Sequence, residues 1–222
     1  VESWWISASV VGLAVACWLS ARLIPKTGAA APALVITRNP LASTAHLLSE
    51  LRGERRLWVG GNIVSWFWAV GGISLAVLPT MVKSNLGGNE AVLSLSIAAF
   101  TVGIAIGSLI AARASHRRPN LALVPLGALM MAIVSFKLSL LVASWPPVAE
   151  TVGIAAFVSS LRGVTFLAAL VGLSLAGGLF IVPAFAAVQS WAAADRRARV
   201  VAAVNVLNAA YMVVSALAVA AL

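Results

Sequence analysis

The chain has 222 residues, 62% hydrophobic and only 9% charged; soluble domains carry about 25% charged residues, so this composition excludes an ordinary water-soluble fold and indicates an integral membrane protein. The formal net charge of +9 would suit a nucleic-acid binder only if its Lys and Arg shared one face. They stand instead in short clusters between apolar runs, and no nucleic-acid partner is expected.

The chain opens Val1-Glu2-Ser3, with no initiator Met and no basic stretch before the first apolar run. That layout reads as a cut edge rather than a signal peptide. Cys17, the one cysteine, lies inside that first run, so no intrachain disulfide forms and its expected role is a small core residue.

Six runs have spanning length, about 4–24, 57–81, 91–112, 121–143, 164–189 and 200–222. The run 57–81 is long enough to cross a bilayer with some tilt yet carries Asn62 and Trp66 inside it. Arg22, Lys26, Arg38, Arg52, Arg55 and Arg56 surround the first connection, Arg113, Arg117 and Arg118 fill the third, and Arg196, Arg197 and Arg199 the fifth. The second and fourth hold only Lys83 and Arg162. This alternation places the odd-numbered connections in the cytoplasm and both visible ends outside. All six acidic residues fall in connections or at the terminus. No run therefore offers the intramembrane carboxylate that proton- and sodium-coupled carriers commonly use.

Within the polar segment 25–56, Asn39-Pro40 precedes a helical spacing of Leu41, Ala45, Leu48 and Leu51. This predicts a cytoplasmic surface helix, either a connector lying on the headgroups or a partner-docking element. The third run contains Gly103-Ile-Ala-Ile-Gly107, a small-residue spacing that lets helices approach closely in lipid. Directly after it, Arg113, Arg117 and Arg118 form either a positive-inside turn or a gate whose arginines bond neighbouring helix ends. Lys137 is the only charge deep in a run. It either snorkels to the outer interface or meets an anionic headgroup.

The fifth run can bend, because Pro183 removes a backbone hydrogen bond while Gly172, Gly177 and Gly178 leave room for a neighbour. In the sixth, Asn205, Asn208, Met212 and Ser215 share one helical face. Amides in lipid need partners, so this face points inward, to another helix or to a cavity. Both histidines, His46 and His116, fall in connections, and neither metal-ligand spacing nor a phosphate-binding glycine loop is present. The pattern predicts a non-enzyme with no cofactor or metal.

Arg55-Arg56, Ser65-Trp66-Phe67-Trp68, Pro79, Leu86-Gly87-Gly88 and the stretch Phe100 to Ser108 together resemble the second half of a major facilitator superfamily transporter. Val124-Pro125-Leu126-Gly127-Ala128, Gly177-Gly178-Leu179-Phe180-Ile181-Val182-Pro183 with Gln189, and Asn205-Val-Leu-Asn208-Ala209 continue the likeness in the same order. More narrowly, the chain looks like the lysophospholipid transporter branch, whose members can be fused to an acyltransferase and an acyl-ACP synthetase.

The resemblance implies an all-α, polytopic bundle of the major facilitator type. Residues 1–24 would be the last helix of the N-terminal half, 25–56 the cytoplasmic central loop, and 57–222 five helices of the C-terminal half. It implies a multi-pass protein of the bacterial inner membrane that moves a lysophospholipid toward the cytoplasmic leaflet for reacylation. Membrane lipids and a fused or associated acyltransferase or acyl-ACP synthetase would be its partners. Asn62, Ser65 and Trp66 would face Asn205 and Asn208 across a central path, and Arg113, Arg117 and Arg118 would occupy the gating loop. The family's Asp-Arg there is Ala112-Arg113 in this chain, which weakens a charge relay but leaves arginine capping of helix ends. The alternatives are a drug or small-metabolite exporter of the same fold, and a non-transporting anchor of a fused acyltransferase.

Overall fold

The computed structural model describes residues 4–25, 39–116, 118–147 and 150–221, apart from the side chain of Ile6. The chain divides into two compact units, Val1–Val35 and Ile36–Leu222. In the first unit, α1 (Trp4–Arg22) is an apolar helix. The Arg22 guanidinium sits over the Trp18 ring, 4.4 Å from its centroid, a placement that lets a helix-terminal cation meet both an aromatic face and the negative end of the helix dipole.

The second unit holds α2 (Pro40–Gly53), α3 (Arg55–Thr80), α4 (Glu90–Ser115), α5 (Leu123–Ala143), a single-turn α6 (Ile154–Ser159), α7 (Leu161–Trp191) and α8 (Arg197–Ala220). The helix starts follow local chemistry. Asn39 caps α2 by accepting from the Leu41 and Ala42 amides, with Pro40 in the first turn, and Asn89 caps α4 in the same way. Past Pro79, α3 continues as a π turn, Met81–Asn85.

Among the described residues every regular element is a helix, and the one backbone pairing outside helices is a parallel bridge between Gly88 and Val152. Five helices are long and apolar enough to cross a membrane: α3 with its π turn, α4, α5, α7 and α8. Of the six expected runs, the first forms α1, whose described apolar stretch, Ser7–Arg22, is shorter than those five. The short α6 was not anticipated from the sequence. The helix starts two residues before the apolar run at α3 and three before it at α8, so Arg55, Arg56, Arg197 and Arg199 ride on first turns.

The central helix is α7. Half of its most apolar stretch, 50%, is buried, against 11% for α5 and 28% or less for the other three spans. Both α4 and α5 lie along α7, while α8 lies along α3, and an α3–α7 contact joins the two groups. The α4–α7 crossing is close because Gly103 and Gly107 have no side chains. A Cβ on Gly107 would collide with the Leu175 carbonyl oxygen, and one on Gly178 would stand 2.5 Å from the Ser108 amide nitrogen. The expected small-residue contact is thus a backbone-to-backbone crossing contributed by both helices.

Two apolar cores lie at opposite ends. One joins Leu51, Leu57, Val64, Val188 and Val204 at the arginine-rich end; the other joins Leu78, Val92, Leu138, Phe157, Phe166 and Leu170 at the far end. The surface helix α2 belongs to the first core. Leu51 is 1% exposed, and ion pairs fasten α2 and its C-cap to the α8 entrance: Glu54 to Arg196 at 2.6 Å and Glu50 to Arg199 at 3.3 Å. In this structure α2 is therefore a docked element of the bundle.

Candidate functional site

The five polar or aromatic residues expected to line a cavity lie on α3 and α8, which run side by side. Ser65 is fully buried, with its hydroxyl 2.9 Å from the Gly61 carbonyl and 2.8 Å from Asn208 Oδ1. A hydroxyl has one proton, so these two acceptors share it. Asn208, 8% exposed, donates a long bond of 3.4 Å to Asn205 Oδ1, and Asn205 stands exposed at the rim. Ser65, Asn208 and Asn205 therefore form a polar seam between two helices.

Asn62 makes a second link one turn away. Its amide donates to the Trp58 carbonyl at 2.7 Å and accepts from the Tyr211 hydroxyl, also at 2.7 Å. A side-chain amide has two donor hydrogens and two acceptor lone pairs, so Asn62 keeps one of each for a ligand. Tyr211, the only tyrosine, was not anticipated as a site residue. Its spacing signal is plain in hindsight, because it follows Asn208 by three residues on the same α8 face.

Asn62 and Trp66 also line a cleft of about 540 Å³, walled by Trp58 of α3, by Pro125 and Ala128 of α5, and by Phe180 of α7. Trp66 is 63% exposed. Ser65, Asn205 and Asn208 do not line this cleft. The structure thus separates the five residues into a cleft pair and a seam trio, rather than setting two walls face to face. Beyond the cleft, Phe67 and Phe180 stack with centroids 5.9 Å apart. Past that aromatic pair lies a cavity of about 150 Å³ that includes Gly71, Met131 and Gly177, then a third of about 580 Å³ with Ser74, Ser135 and Ser139. The latter two share Ser74, Leu75, Phe100 and Leu173, so apolar space continues along α3 on the far side of the ring pair.

Of the three gating-loop residues, Arg117 lies outside the described residues. Arg113 and Arg118 are exposed, and the turn is held by other side chains. Ser115 Oγ accepts from the Asn120 amide nitrogen at 3.3 Å, and Asn120 Oδ1 accepts from the Ala122 amide at 3.2 Å. Lys137 is likewise exposed, about 9 Å of helix rise from the end of α5.

No family model, curated protein or solved structure matches the chain. What its own residues establish is an all-helical, multi-pass membrane protein whose acidic side chains, among those described, lie only at the bundle ends.

Proposed function

We propose that this chain forms the last helix of the N-terminal half and five helices of the C-terminal half of a major facilitator transporter that carries a lysophospholipid across the bacterial inner membrane toward the cytoplasmic leaflet. The observation that carries this reading is the row of apolar cavities along α3 with Asn62 at the edge of the first. A single-chain lipid has that chemistry: an acyl chain for the apolar space, and a phosphate or glycerol hydroxyl for the one donor and one acceptor that Asn62 retains. A carboxylate beside the path would repel the phosphate, and the described carboxylates are Glu50, Glu54, Glu90, Glu150 and Asp195, all outside the five spans' interiors. Arg113, Arg117 and Arg118 act in this reading as the cytoplasmic gate.

The test is uptake of a labelled lysophospholipid by vesicles containing the complete protein at matched amounts. Hydrogen bonds in membranes contribute about 0.6 to 2 kcal/mol each, so Asn62→Ala should weaken uptake several-fold, and Trp66→Ala should do so through lost contact with the chain. The Asn205→Ala/Asn208→Ala pair should act differently, lowering the melting temperature as well as the rate, because it opens the α3–α8 seam. Unmodified uptake in Asn62→Ala and Trp66→Ala would mean that the cleft is not the path.

A further inference from the structure

The Asn62 amide is held at both ends, and the second hold comes from another helix. Its partner within α3, at 2.7 Å, is the Trp58 carbonyl, which can only accept, so the atom facing it is the Nδ2 donor and Oδ1 is left to face Tyr211. Tyr211 has one hydroxyl proton and gives it to Oδ1, also at 2.7 Å. A half-turn of the amide would set Oδ1 against the Trp58 carbonyl oxygen, two acceptors with no proton between them. With both partners in place, one orientation remains.

Tyr211 makes this contact from farther along α8. It stands three residues beyond Asn208, whereas Asn62 stands three residues before Ser65, the partner of Asn208. Long side chains on a helix lean toward its start, so the phenol carries its hydroxyl back to Asn62 where a shorter side chain would fall short. Tyr211 is half-buried and does not line the cleft, while Asn62 does. The Ser65–Asn208 bond also lies away from the cleft. Of these two α3–α8 bonds, only the tyrosine bond ends on a residue that a ligand in the cleft can touch.

We infer that Tyr211 is a positioning residue for the ligand of this cleft, holding Asn62 from α8 in the orientation that leaves one N–H and one oxygen lone pair for that ligand. The matching chemistry is a hydrogen-bond donor beside an acceptor, within the width of one amide. In a single-chain glycerophospholipid the free glycerol hydroxyl is such a donor, next to ester and phosphate oxygens. An analogue with hydrogen in place of that hydroxyl keeps the acceptors and loses the donor. The inference takes its substrate from the proposed transport reading and its positioning residue from the α3–α8 geometry.

The experiment compares uptake of a labelled lysophosphatidylethanolamine and of its deoxy analogue, which lacks the glycerol hydroxyl, by vesicles containing the complete protein. The quantity read is the ratio of the two kcat/KM values within each variant, which does not depend on how much protein is folded. The unmodified protein should favour the hydroxyl-bearing lipid about three-fold or more, the effect of one hydrogen bond in a membrane. Tyr211→Phe, which keeps the ring, should bring the ratio toward unity by raising KM for the hydroxyl-bearing lipid, with kcat and the deoxy analogue unchanged. Asn62→Ala should also bring the ratio toward unity, and adding Tyr211→Phe to it should move the ratio no further. A Tyr211→Phe protein that slows both lipids equally, or that keeps the unmodified ratio, would overturn the inference, as would an unmodified protein that carries both lipids equally well. Absence of lysophospholipid uptake by the unmodified protein would instead defeat the transport reading, and the inference with it.

Discussion

At the scale of single residues, the α4–α7 crossing and the α3–α8 seam make opposite demands. Gly107 meets the backbone of α7 directly, so Gly107→Val should destabilise the purified chain by about 1–3 kcal/mol, read as a fall in detergent melting temperature. Gly172, with its nearest neighbour 3.8 Å from an added Cβ, should accept Ala with little change or a small gain. If both variants melt alike, the crossing is looser than described. At the seam, Ser65 and Asn208 should couple by about 0.6–1.7 kcal/mol in a double-mutant cycle of Ser65→Ala and Asn208→Ala. A coupling near zero would mean that each hydroxyl and amide is satisfied within its own helix.

At the scale of elements, α2 shows how a short amphipathic helix becomes part of a membrane bundle. Leu51 sits in the first core, so Leu51→Ala should cost about 2–5 kcal/mol, whereas Glu54→Gln, in partly exposed pairs, should cost about 1 kcal/mol or less and more at low salt. Hydrogen exchange would separate the two: Glu54→Gln should speed exchange in α2 alone, Leu51→Ala in α2 and both helices beneath it. The existence of α2 was legible from Asn39-Pro40 and the leucine spacing, since capping is local chemistry. Its docking was not, because Glu50 and Glu54 meet Arg199 and Arg196 across more than a hundred residues of sequence. The division of Asn62 and Trp66 from Ser65 and Asn208 was hidden for a related reason. Period alone puts polar residues on one stripe, but a stripe between two neighbours faces both, and only the packing says which side chain meets which. The stacking of Phe67 on Phe180 was missed as well, since both look like ordinary core aromatics until Gly177, whose added Cβ would lie 3.1 Å from the Phe67 ring, is seen to seat one of them.

At the scale of the molecule, charge should set orientation. With Cys17 replaced, Ser115→Cys should be labelled only from the cytoplasmic side and Asn89→Cys only from outside; the reverse pattern would invert the topology. On the proposed transport reading, Lys137→Gln should leave uptake near the unmodified rate, because the side chain is exposed and long enough to snorkel toward the interface. The dominance of α7 has a further consequence, for the order of assembly. Helices α3, α4 and α5 touch one another little; α4 and α5 pack chiefly on α7, and α3 on α8 and then α7, all made after them. At about 5–20 residues per second of synthesis, the bilayer holds three inserted helices for several seconds before their shared partner arrives. During that interval the glycine face of α4 is open to lipid and to any other small-residue helix nearby. A chain stopped after α5 should therefore insert normally and then be degraded, whereas supplying α7 as a separate peptide should protect it.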